Sequence, residues 1–204
     1  IDSRIWPRTA AIAERFWSPK EVNNIENMKW RLKDVSNKLE ELGITHIKNR
    51  DVILRNISGY QNIDALKVLS NVCEPLKMYS RNKGGTEYKT FSPFTLFADA
   101  CVVDAEDAVG FKKTTFNFIE NSNNDNTNAV LDYLKKWKEN HKEFTKIANN
   151  PNVISLESLS SNLSKASKLL ASVIKTKKIT KEEFDTINRY MKILSDPHED
   201  VELV

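Results

Sequence analysis

Three histidines and two cysteines are the side chains of this chain best suited to nucleophilic or metal chemistry. A zinc site needs several His, Cys or carboxylate ligands at short, defined spacings. His46 and His198 have no such neighbours, so no metal and no cofactor is expected. His141 lies on an apolar stripe with Val130, Leu134, Trp137 and Phe144, spaced 4, 3, 4, 3. A general base needs convergent partners, so a lone histidine there reads as a core residue hydrogen-bonded to a neighbour. Cys73 and Cys101 are too few for a disulfide framework. Two buried thiols is the favoured reading, with a single disulfide as the alternative. Tyr79, Tyr88, Phe91, Phe94 and Phe97 surround a Gly84-Gly85 turn. Such rings can stack on a pyranose face, but packing of the loop onto its own protein is the preferred expectation.

The most specific pattern lies at the other end of the chain, from Arg4 to Ser18. Pro7 suits the first turn of a helix, where its missing N–H costs nothing. Ala10, Ala11, Ile12, Ala13, Phe16 and Trp17 then point in most directions of the helical wheel, with charge only at Arg8, Glu14 and Arg15. A helix apolar all round is expected to be buried all round. The chain starts at Ile1, without an initiator Met, so it is expected to be excised from something larger.

These residues resemble the last barrel helix of family 20 glycoside hydrolases, the β-N-acetylhexosaminidases, whose pattern is W-P-R-x-A-A-x-A-E-R-x-W. Trp6, Pro7, Arg8, Ala10, Ala11, Ala13, Glu14, Arg15 and Trp17 all match. Ser18-Pro19, then a helix holding Trp30-Arg31-Leu32 and ending at Leu42-Gly43-Ile44, continue the likeness. The segment Glu74 to Arg81 is similar to C-terminal extensions of bacterial members.

The resemblance implies substrate-assisted hydrolysis, in which the sugar's 2-acetamido oxygen is the nucleophile. It also implies an adjacent Asp-Glu pair, the Asp orienting that group and the Glu acting as general acid. No Asp-Glu dipeptide occurs in this chain. Gly84-Gly85-Thr86-Glu87 is similar to the family's G-G-D-E, but Thr stands at the Asp position. No catalytic residue is therefore assigned here, and no substrate-binding residue is identified. Glu14 and Arg15 belong to a helix outside the barrel, where residues serve stability. They are expected to form a buried ion pair or to tie the helix to a neighbouring domain. By the same resemblance the parent protein is periplasmic or extracellular.

The remaining residues read as helices. Lys and Arg number 31, Asp and Glu 28, and the net charge is +3. The lysines are spread along every segment, which leaves no nucleic-acid footprint, and no apolar run approaches membrane-spanning length. Five glycines and six prolines argue against a turn-rich β fold. Asn23 or Asn24 can cap a helix whose stripe is Ile25, Met28, Leu32, Val35, Leu39 and Leu42, with Gly43 beyond it. Thr45 to Gln61 is irregular, and Val52-Ile53-Leu54 is an apolar run of open type. Ile63 to Val72 reads as a helix stopped by Pro75, and Asp104, with Asp107 three residues on, can open another through roughly Ile119. An exposed turn is expected at Asn121–Asn126.

Three amphipathic helices follow. The first carries the His141 stripe. The second runs from Ser155 with Leu156, Leu159, Leu163, Ala166, Leu170 and Val173 inward. The third opens at a Thr180–Glu183 capping box, with Phe184, Ile187, Met191 and Leu194 inward. The expected fold is an all-α helical bundle, its N-terminal helix being the last helix of a missing (β/α)8 barrel. Residues 1–47 are assigned to the end of the barrel and 48–204 to a C-terminal helical domain.

Three functional readings follow from this. The chain is the non-catalytic C-terminal portion of a β-N-acetylhexosaminidase, its partners being the catalytic barrel of the same polypeptide and, through that missing domain, N-acetylhexosamine-containing glycans. Alternatively it is an autonomous helical module that binds another protein, or the aromatic loop binds carbohydrate without catalysis. The first helix is expected to dock or pair, because Ile12, Phe16 and Trp17 would otherwise expose an apolar patch.

Overall fold

The computed structural model describes residues 2–77, 97–198 and 200–204. The chain divides into two compact units, Ile1–Val52 and Ile53–Val204. It is an all-α helical bundle with one small two-stranded ribbon.

The first unit is built on two helices, preceded by a short turn of helix, α1 (Asp2–Ile5). α2 (Arg8–Trp17) begins one residue later than the proline rule suggests, with Pro7 at the N-cap instead of the first turn. α3 (Ile25–Glu41) is capped by the Asn24 side chain, which accepts from the Asn27 N–H at 2.9 Å. Gly43 follows at φ +90°, the left-handed geometry that a side chain would strain. α2 packs against α3.

α4 (Lys48–Ile57) occupies the stretch that has no clear period in the sequence. Its last turns bury Leu54 and Ile57 in the core of the second unit. Around them lie α5 (Asp64–Ser70), α6 (Phe97–Ala100), α7 (Glu106–Glu120), α8 (Asn124–Phe144), α9 (Glu157–Thr176) and α10 (Lys181–Ser195). α8 is the central element, lying against α9, α7 and α5, and α10 packs on α9 and β2. The core holds Leu66, Leu69, Leu134, Phe144, Val153, Leu156, Leu159 and Leu163. At about 1.5–3 kcal/mol for each large side chain withdrawn from water, these residues dominate the stability of the unit.

Local sequence explains several boundaries. The capping box of α10 is complete: the Glu183 N–H donates to the Thr180 hydroxyl, and the Thr180 N–H donates to the Glu183 carboxylate. Asn123 caps α8 by accepting from the Asn126 N–H at 2.8 Å, so the asparagine-rich run is half turn and half first helical turn. Asp104 does not cap α7; it sits at φ +62°, and Ala105 is the N-cap. Asp107 instead turns inward to meet Lys136 of α8 at 2.6 Å.

Two expectations on α10 need correction. Ile187 and Leu194 are buried, but Phe184 is 53% and Met191 50% exposed. A helix at the edge of a bundle buries a narrower stripe than one packed between other helices.

The ribbon is also absent from the helical reading. β1 (Cys73–Pro75) pairs antiparallel with β2 (Val201–Leu203), in the register Cys73 to Leu203, Glu74 to Glu202 and Pro75 to Val201. Three-residue strands are too short to display a period of two. The register sets two glutamates opposite each other, and Lys77 resolves the repulsion. Its ammonium lies 2.8 Å from Glu202 and 3.1 Å from Glu74. These bonds, that to Glu202 first, raise the Lys77 pKa above its ordinary value of 10.5.

Candidate functional site

α2 carries the most specific residues of the chain, and among its charged ones Glu14 faces the partner helix. Ala10, Ala11 and Glu14 are half-buried on α2, as are Met28, Arg31, Leu32 and Val35 on α3. Glu14 forms an ion pair with Arg31, both side chains about one-third exposed. Arg15 donates to the carbonyls of Val22 at 2.6 Å and Pro19 at 3.5 Å, fixing the connector between the helices. Glu14 is thus a tie between helices, only half-buried.

The apolar residues of the same motif point away. Phe16 is 83% and Trp17 89% exposed, and Ile12 is exposed beside them in the helical stripe. On α3, Ile25, Trp30 and Leu42 are exposed as well. No described residue of α2 or α3 is buried. Within the first unit, α3 covers only one side of α2. Its small alanines and its ion pair meet α3, and nothing in the first unit reaches the aromatic side. The seam holds small and aliphatic side chains around one ion pair, while the large rings Phe16, Trp17 and Trp30 stay exposed.

A second cluster fixes the loop after α3. His46 is only 6% exposed. Its Nε2 lies 2.5 Å from the Ser36 hydroxyl, and its Nδ1 lies 3.5 Å from Glu40 Oε1. The order serine, histidine, carboxylate is that of a nucleophilic relay, but the geometry argues for a scaffold. Glu40 Oε1 already accepts from the N–H groups of Ile47 at 2.6 Å and Lys48 at 3.2 Å, so it caps the start of α4. His46 is closed in behind it. Sequence spacing missed this group because its members are drawn together by the turn at Gly43, ten residues separating Ser36 from His46.

The other candidates are structural. His141 Nδ1 lies 3.1 Å from the Ser160 hydroxyl, and its ring stacks on Phe144 with centroids 6.4 Å apart. His198 Nε2 lies 3.1 Å from the Ile193 carbonyl. Among the described residues no group of three or more His, Cys, Asp or Glu could hold a metal ion, and no helix is long and apolar enough to cross a membrane. Phe97 is buried in the core. Tyr79, Tyr88, Phe91 and Phe94, together with Gly84-Gly85-Thr86-Glu87, lie outside the described residues.

No protein-family model matches the chain, and no curated protein does. A solved structure does match, the Flavobacterium johnsoniae chitobiase, at 47% identity over 99% of this chain with a TM-score of 0.92. The chain is a segment of a family 20 glycoside hydrolase. It spans 31% of the length of that chitobiase. The likeness runs far beyond the Trp6–Trp17 motif and takes in the helical bundle.

Proposed function

We propose that this chain is the C-terminal, non-catalytic portion of a β-N-acetylhexosaminidase, and that its α2 face braces the catalytic barrel of the same polypeptide. One observation carries the reading: α2 turns Glu14 inward to Arg31 while leaving Phe16 and Trp17 almost wholly in solvent. Burying Ile12, Phe16 and Trp17 against a barrel would stabilise the assembly by about 1.5–3 kcal/mol per side chain. The missing Asp-Glu pair supports the same division of labour, since the proton chemistry then belongs to the barrel. The glycans cleaved by that barrel carry terminal N-acetylhexosamine, and the whole protein works in the periplasm or outside the cell.

The test is hydrolysis of a chromogenic N-acetylglucosaminide. The purified chain should release no chromophore, whereas the polypeptide that includes the barrel should. Turnover by the chain alone would overturn the reading.

The competing reading, an autonomous protein-binding helical module, is favoured by the exposed Phe184 and Met191 stripe on α10. It leaves the α2 motif without a purpose. Capture of a separate protein partner through α10, with α2 dispensable, would favour it.

A further inference from the structure

Cys73 and Cys101 are both thiols, 0% and 1% exposed, in one hydrophobic core. Cys73 opens β1, and Cys101 follows directly on α6, which lies against β1. The neighbouring backbone is already joined, because the Asp104 N–H donates to the buried Glu74 carboxylate at 2.8 Å. We propose that Cys73 and Cys101 are a disulfide site, closed when the chain folds in the presence of a disulfide oxidant and stapling β1 to the end of α6.

Burial pushes the Cys73 thiol well above its ordinary value of 9.0, and the neighbouring Cys101 pushes it further in the same direction. A thiol held neutral and out of solvent attacks a disulfide slowly. The bond therefore forms while the core is still open. One thiolate attacks an oxidant such as oxidised glutathione, releasing reduced glutathione and leaving a mixed disulfide. The second thiolate then displaces the other glutathione. Two protons and two electrons leave the cysteines, one S–S bond forms, and the oxidant's S–S bond breaks. The staple closes the loop from residue 73 to residue 101, which restricts the unfolded chain.

The inference does not depend on the barrel. The unfolded chain is refolded in a mixture of oxidised and reduced glutathione, then denatured and treated with iodoacetamide. The expected product has lost two hydrogens in mass, takes up no label, and gives one linked peptide containing Cys73 and Cys101. Its Tm should exceed that of the reduced chain by roughly 5–10 °C. Chain refolded under reduction and only then exposed to the oxidant should close far more slowly. Cys73→Ser and Cys101→Ser should each remove the Tm difference between oxidised and reduced preparations. Labelling of both cysteines after oxidative refolding would overturn the proposal.

Discussion

Glu14 of α2 and Arg31 of α3 form an ion pair across the seam of a helix pair whose aromatic residues lie on the opposite side. In a stand-alone hairpin the arrangement would be reversed, with rings inside and charges outside. Here the ion pair holds two helices in a fixed relation while the apolar face is left for something else.

Removal of either partner should have a modest effect. Both side chains are about one-third exposed, so water screens the pair. Glu14→Gln and Arg31→Met should each lower stability by about 0.5–1 kcal/mol, and the double variant should lose less than the sum. Urea unfolding followed by the fluorescence of the four tryptophans measures this. Strict additivity would show that the two residues do not couple.

The aromatic face should behave differently in the isolated chain and in the barrel-bearing protein. Phe16→Ser and Trp17→Ser should change the stability of this chain by less than about 0.5 kcal/mol, since neither ring is buried in it. In the polypeptide that includes the barrel, each should cost about 2–4 kcal/mol. Differential scanning calorimetry on both proteins makes the comparison. Equal effects in the two would remove the case for bracing.

Glu40 should matter more than its position near the surface suggests. It receives the Ile47 and Lys48 N–H groups and faces His46. Glu40→Ala should cost about 1–2 kcal/mol, and Glu40→Gln, which keeps an acceptor, about half of that. Amide hydrogen exchange at Ile47 and Lys48 should accelerate in the alanine variant above all.

Lys77 predicts a dependence on alkaline pH. Its folded pKa is raised, so the stability it contributes is complete below 10.5 and is lost as pH rises through the higher folded value. Buried Cys73 acts in the same direction from 9.0 upward, so the comparison belongs in a Cys73→Ala background. Lys77→Met should lower stability at neutral pH by about 0.5–1 kcal/mol, because Glu74 then faces Glu202 without the ammonium between them. It should also flatten the alkaline decline. Denaturant midpoints from neutral pH to above 11 test both.

The sequence reveals much of the bundle because long helices between packed neighbours keep a strict period. Leu159, Leu163 and Ala166 of α9 are buried as their spacing requires, and Thr180 and Glu183 cap α10 as their types require. It conceals what depends on the number of neighbours. Phe184 and Met191 share the inward stripe of α10, yet only one helix lies beneath it. Phe16 and Trp17 of α2 likewise follow an apolar pattern, yet α3 meets only the side that carries Ala10, Ala11 and Glu14. The Ser36–His46–Glu40 cluster was hidden because a turn, and no regular period, gathers it.

The β1–β2 ribbon joins residues 73–75 to residues 201–203, nearly the whole second unit apart in sequence. Every helix from α6 to α10 lies between the two strands in sequence. Cys73 and Glu74 therefore gain their strand partner only after all of these helices have been made. The helices can condense through local contacts, whereas the ribbon needs segments far apart in sequence to meet. A chain cut before Val201 should therefore keep its helices but lose the cover over Cys73 and Glu74, and protease should cut it faster.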